Sequence, residues 1–437
     1  MGEEKQPGWN IFKQIFSDHW KKFKELYPKY NTEYYNKLVT KMLSCGNPND
    51  MGYIEYRCTN CWQDSRVISM SCKCSLCLKC GKVYVDDWVS QVSRMIHEGI
   101  IYRHIVLTVP EILRVIFYNN SEKLLGALMQ CGVKCLDDFF STTSKRELSG
   151  GYIVVLQTHG RSGHYNPHLH IIATSGGLDK EREKWIHLDY LPYPMLHRKW
   201  QWYLLKMLRD TLDTEEIDKL VNDCYKKYPK GFVANVQKGD VPNRYKSLAK
   251  YLAKYVVSPP ISVRRIDRYE KGRVIYHYRS HTMKMVKKED VDVYTFIGRM
   301  IQHVMPKGFK RIRYYGVQAT KSFEKNKGII KEALLKVKNV VKGAVKIIAR
   351  KKYRERYKDI TGNDPLLCRN CGEEMEIWEI WHPDYGFIYK GYEEVERNEY
   401  GREEQKVILE KGNGRTIRSP TKGVQLSLFG VWDGASC

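Results

Sequence analysis

Apolar positions recur along this chain with two periods. Spacings of three and four residues mark helices with one buried face, and they run over residues 122–141, 195–212, 215–227 and 244–256. The first 44 residues carry the same pattern, with Trp20, Phe23, Leu26, Leu38 and Met42 as apolar anchors. Runs rich in β-branched and aromatic residues predict strands at 102–109 (YRHIVLTV), 152–158, 167–174 and 231–237 (GFVANVQ). Two further runs, 261–267 and 273–279, flank RYEKG and predict a hairpin. Helical and strand signals alternate between 100 and 315 with irregular connections. That predicts an α+β fold, a small central antiparallel sheet flanked by helices, and not a doubly wound parallel sheet. Residues 321–357 hold 13 Lys or Arg against three acids, with one apolar stripe of Ile330, Leu334, Val337, Val341, Val345 and Ile348. The pattern predicts one amphipathic basic helix. The expected division is a helical N-terminus with a cysteine-rich module over 1–98, a catalytic domain over 99–318, and a basic helix with a small C-terminal region over 319–437.

Charge adds a partner. Lys and Arg total 74 against 50 acids, a net charge of +24 spread along the whole chain. A field of that sign selects a polyanion, and 31 Tyr and 10 Trp among the cations suit single strands, whose bases stack while their phosphates pair. The opening MGEEKQPGWN has no apolar signal core, and no stretch is long enough to span a bilayer. The expectation is a cytoplasmic, nucleoid-associated protein without membrane contact.

In a reducing compartment, clustered cysteines mean metal. Seven of the 13 fall between Cys45 and Cys80. Cys58-x2-Cys61 and Cys77-x2-Cys80, 15 residues apart, have tetrahedral zinc spacing and predict one structural Zn²⁺ on those four thiolates. Cys45 and Cys72 would help hold a second ion, completed by His19 or Cys74. A partial repeat, Cys368-x2-Cys371 followed by His382, marks a possible C-terminal zinc site.

His168-Leu169-His170 falls within a predicted strand, so both imidazoles share one face. If the loop GRSGHYN folds 152–158 back beside it, Gln157 or His159 supplies a third ligand, leaving positions open for phosphate oxygens. The residues alone do not choose the metal. Tyrosines four apart occur at 30/34, 251/255, 353/357 and 385/389, so spacing is not a signal by itself. Context singles out Tyr251 and Tyr255. Arg244, Lys246, Lys250 and Lys254 surround them, and Ser258-Pro259-Pro260 stops their helix. A phenol titrates near pH 10 and is a weak nucleophile at neutral pH. A divalent ion on the phosphate oxygens lets it displace a 3′-hydroxyl and store the phosphodiester as a 5′-phosphotyrosine.

His168-Leu169-His170, Gln157-Thr158-His159-Gly160 and Tyr251-x3-Tyr255 together resemble the HUH single-strand endonucleases with two tyrosines, specifically bacterial rolling-circle insertion-sequence transposases. Cys45-Gly46, Cys58-x2-Cys61, Ser71-Cys72 and Cys77-x2-Cys80 resemble their zinc-binding domain. SPPISVRRI (258–266), HYRSH (277–281) and MPKGFKRIRYYG (305–316) resemble blocks that follow the tyrosines. The resemblance implies a palm-like sheet, a Mg²⁺ or Mn²⁺ cofactor on His168 and His170, and Tyr251 and Tyr255 as nucleophiles; Gln157, whose amide oxygen suits a hard cation, is the favoured third ligand and His159 the fallback. It implies single-stranded DNA, at transposon ends and hairpins, as substrate, with Arg244, Lys250, Lys254, Arg264 and Arg265 as DNA contacts. Many relatives have histidine where Gln157 stands. No ATP-binding loop is present, so host replication and helicase functions would unwind the strands. A replication initiator or relaxase with the same chemistry, a catalytically dead zinc DNA-binding protein and a zinc hydrolase are the competing readings.

Overall fold

A five-stranded antiparallel sheet lies at the centre of the larger of two units. Its strands are β1 (Tyr102–Thr108), β2 (Gly151–His159), β3 (Tyr165–Thr174), β4 (Ala234–Val236) and β5 (Ile312–Gly316), in the order β5-β2-β3-β1-β4. The computed structural model describes residues 9–392 apart from 180, 182, 238–240, 242–250, 252–258, 281–284 and 336–349. The larger unit is Asn10–Leu43 with Lys73–Lys351; the described part of the smaller one is essentially 44–72 with 352–392.

Alternation along the strands divides the sheet's side chains. On one face Ile105, Leu107, Val154, Leu156, Leu169 and Ile171 are fully buried against helices α2 (Ser121–Ser144) and α3 (Tyr193–Leu212). Each such side chain contributes about 1.5–3 kcal/mol by leaving water. The helix approaches closely: a Cβ on Gly132 of α2 would stand 2.5 Å from Leu169 Cδ1. On the other face Tyr102, Ile153, Val155 and Ile172 pack with Val85, Trp88, Val89 and Val92 of α1 (Leu78–Arg94). That second face also carries His168 and His170.

Several expectations shift. The arms of the predicted hairpin are Ile266–Glu270 and Arg273–Arg279, so the first begins five residues late. Lys271 and Gly272 both have positive φ, 47° and 71°, the two-residue turn that matches strand twist. Leu26 is exposed (49%), since its helix, Ile11–Leu26, buries the stripe Phe12, Phe16, Trp20 and Phe23 and ends there. Pro167, expected to open its strand, is its third residue. It falls beside a break in register between Gln157 and His159, where an unpaired backbone is tolerated. Gly176 (φ 117°) opens the next strand, Gly176–Asp179, where a Cβ would meet the backbone oxygen of Ile186. The basic stretch is not one helix. Helix Phe323–Leu335 is followed by non-helical 350–352, and a second helix, Tyr353–Thr361, starts where the Lys352 amide donates to the Glu355 carboxylate at 2.9 Å. Val337, Val341, Val345 and Ile348 lie outside the described residues.

The smaller unit is a four-stranded antiparallel sheet. Tyr53–Arg57 is flanked by Ser65–Ser69 and by Glu376–His382, and Gly386–Lys390 lies at the far edge. Its core is small: Tyr56, Cys58, Leu366, Cys368 and Met375, with Ile54, Ile68 and Ile377 beside them.

Candidate active site and cysteine centres

The loop after β2 folds back as expected, so Gln157 is directly opposite His168 and Val155 opposite His170. On the other side Thr108 is opposite His168 and Val106 opposite His170. Directly paired residues share a face, so Gln157, His168 and His170 project together, while Leu169 is buried on the opposite face. His168 Nδ1 donates to the carbonyl of Asn166 at 2.7 Å. A carbonyl only accepts, so the hydrogen stays on Nδ1 and Nε2 keeps its lone pair. His168 Nε2 and His170 Nε2 stand 3.1 Å apart.

A third imidazole joins them. His104, on β1, places Nε2 at 2.8 Å from His170 Nδ1 and Nδ1 at 2.6 Å from the hydroxyl of Tyr251. The result is a hydrogen-bonded chain running from Tyr251 through His104 and His170 to His168. Burial disfavours the charged form of all three rings. It lowers His168; with the neighbouring imidazoles His168 and His104 it takes His170 well below the ordinary histidine value; and it takes His104 to about 4. Neutral imidazoles are the form that ligates metal. Sequence reasoning named the strand 102–109 but not His104. The available signal was its place in the alternation His104, Val106, Thr108, which marks the face but not its neighbours.

The remaining site residues divide. Gln157 is buried, and His159 stacks edge-on near His303 at 5.5 Å between ring centroids. Arg264 is exposed. Arg265 is half-buried, and its guanidinium donates to the carbonyls of His277 (2.8 Å), Arg161 (2.5 Å) and Pro260 (3.5 Å), which makes it a clamp between loops. Tyr255, Arg244, Lys246, Lys250 and Lys254 lie outside the described residues.

The cysteines pair differently from the expected grouping. Cys58 and Cys61 lie with Cys368 and Cys371, not with Cys77 and Cys80. In that group the candidate ligand atoms lie within 4.8 Å of one another, and four thiolates are a zinc donor set. Three proposed helpers fall elsewhere. His19 bonds the Tyr269 hydroxyl at 2.8 Å, the Cys74 thiol donates to Leu38 O at 3.5 Å, and His382 accepts from the Asp384 amide at 3.1 Å.

Comparison with known proteins gives the class. Residues 151–326 match the family model described as "Putative transposase", and residues 15–109 match the transposase zinc-binding domain. By these matches the chain is a transposase with an N-terminal zinc-binding domain. Its relatives include the transposase for insertion sequence element IS801 of Pseudomonas savastanoi pv. phaseolicola, 27% identical over 355 residues, 78% of this chain and 82% of that protein. Another is "Putative transposase y4qJ" of Sinorhizobium fredii, 24% identical over 359 residues, 78% of this chain and 88% of the relative. No solved structure matches the chain. Among the described residues, no helix is long and apolar enough to cross a membrane.

Proposed function

We propose that this transposase cuts and rejoins single-stranded DNA through tyrosine–phosphate bonds, with Tyr251 and Tyr255 as nucleophiles and a Mg²⁺ or Mn²⁺ ion on His168, His170 and Gln157, and so moves one strand of an insertion sequence by a rolling-circle route. The observation that carries the reading is the Tyr251 hydroxyl, one imidazole away from the histidine pair. Residues 99–318 are the catalytic domain in this reading, its sheet the HUH palm, and host replication proteins supply unwound strands.

The residues fit a hard divalent ion. Adjacent positions of an octahedron with bonds of about 2.1 Å stand about 3.0 Å apart, close to the 3.1 Å between the two Nε2 atoms. The Gln157 amide oxygen is a suitable third ligand for such an ion. When bound, the ion supplies charge stabilisation at the non-bridging phosphate oxygens.

The chain's own groups do the rest. If His168 and His170 held the ion through Nε2, the hydrogen of His170 would be on Nδ1 and would donate to His104 Nε2. His104 then carries its hydrogen on Nδ1 and donates to the Tyr251 oxygen. That oxygen attacks phosphorus, the bond from phosphorus to the 3′ oxygen breaks, the phenolic proton passes to water, and the departing 3′ oxygen takes one from water. The 5′-phosphotyrosine left behind keeps the energy of the phosphodiester, so a 3′-hydroxyl reverses the step and joins strands. His104 is a positioning residue for both the metal ligand and the nucleophile.

The test is to incubate the full chain with a labelled single-stranded oligonucleotide carrying the element's end and Mn²⁺, then resolve it in SDS. A covalent protein–DNA band is expected, lost when Tyr251→Phe and Tyr255→Phe are combined. Cutting without such a band would make the protein a hydrolase and end this reading.

A further inference from the structure

We infer that Cys58, Cys61, Cys368 and Cys371 hold one structural Zn²⁺, so that the C-terminal segment completes a zinc ribbon begun near the N-terminus. The matched zinc-binding domain ends at residue 109 and the transposase match at 326, so neither reaches Cys368 or Cys371.

The geometry repeats itself in the two Cys-x2-Cys turns. In the first, the Cys61 amide donates to Cys58 Sγ at 3.5 Å, and the Trp62 amide to Cys58 O at 3.1 Å. In the second, the Cys371 amide donates to Cys368 Sγ at 3.5 Å, and the Gly372 amide to Cys368 O at 3.0 Å. The residue after the second cysteine is left-handed in both, Trp62 at φ 58° and Gly372 at φ 79°. A tryptophan held at positive φ is costly and persists only where the surroundings require it. Two equivalent turns face each other with Sγ separations of 3.5 Å (Cys58 to Cys371), 3.5 Å (Cys61 to Cys368) and 3.6 Å (Cys58 to Cys61). A tetrahedral ion with bonds of about 2.3 Å to sulfur has edges of about 3.8 Å.

The frame around the sulfurs is built to hold that arrangement. Asp64, on the turn after Cys61, accepts from the Arg369 amide and from its guanidinium, each at 2.7 Å, and Arg369 stands between the two C-terminal cysteines. Tyr53–Arg57, which leads into Cys58, pairs antiparallel with Glu376–His382, which follows Cys371. The core beneath is a handful of side chains. Cores of that size rarely fold alone, and a metal is the usual supplement.

Zinc per chain, measured on the full-length protein, tests the assignment. Cys58→Ser with Cys61→Ser should lose one ion, Cys368→Ser with Cys371→Ser should lose one, and all four changes together should lose that same one. Cys371→His, which keeps four ligands, should retain it. Unchanged zinc in the C-terminal double variant, or a loss of two in the fourfold variant, would overturn the assignment. If the variants are insoluble, the parent protein answers. After zinc is chelated, diamide oxidises neighbouring thiols to disulfides, its azo group being reduced to hydrazine. Peptide mapping should then link 58–61 to 368–371, and untreated zinc protein should resist. Links from 58–61 to 77–80 would refute the ribbon.

Discussion

His104→Ala separates the proposed chemistry from a merely well-packed histidine cluster. The change removes two contacts at once, 2.6 Å to the Tyr251 hydroxyl and 2.8 Å to His170 Nδ1. His104 is 1% exposed, so water does not readily replace them. Losing a hydrogen bond of this kind, to an oxygen that becomes charged, costs about 1.5–3 kcal/mol. Converted at about 1.4 kcal/mol per tenfold, this is a loss of about 10- to 150-fold in the rate of covalent adduct formation. The second contact orients a metal ligand, and losing such a partner weakens metal binding by about 10- to 100-fold. The assay is single-turnover formation of the SDS-resistant band with enzyme in excess over labelled oligonucleotide, repeated across a Mn²⁺ titration. Oligonucleotide affinity without Mn²⁺ serves as the control for folding. The expected result is a higher Mn²⁺ requirement together with a lowered plateau rate at saturating ion. A rate within twofold of the parent at every Mn²⁺ concentration would refute the role. Full recovery at high Mn²⁺ would confine His104 to His170 and remove it from the nucleophile.

Two further expectations concern the scaffold. Gly132→Ala puts a methyl 2.5 Å from Leu169 Cδ1, on the residue between the two histidines, and should lower stability by about 1–3 kcal/mol in urea unfolding; no measurable change would mean that α2 can withdraw from the sheet. The Arg369 hydrogen bonds hold the Asp64 carboxyl down to about 2 from 3.8, so its stabilisation is present above pH 4 and is lost as pH falls through 2. Asp64→Asn should therefore melt lower than the parent at pH 6, with the gap closing as pH drops below 4; a gap independent of pH would assign the loss to packing.

Legibility followed distance along the chain. The helix over 215–227 was bounded correctly because its signals are local: Thr214 caps the Ile217 amide, acids fill the first turn and lysines the last. The histidine pair was legible because two residues apart on a strand fixes a shared face. His104 was not, because only the strand order β2-β3-β1 brings it to His170, 66 residues away, and no local pattern encodes strand order. The cysteines make the same point with an energy attached. Spacing favoured closing Cys58 and Cys61 onto Cys77 and Cys80, since 15 residues separate those pairs whereas Cys61 and Cys368 are 307 positions apart. Closure entropy, however, grows only with the logarithm of length. For a flexible chain the difference between those two loops is about 2–3 kcal/mol. Against that stand five paired positions between Tyr53–Arg57 and Glu376–His382 and the Asp64–Arg369 clasp, all specific to the distant partner. Each backbone hydrogen bond contributes about 1 kcal/mol net and the carboxylate–guanidinium bonds somewhat more. A handful of them therefore outweighs the advantage of nearness, and the ligand set follows the sheet rather than the spacing.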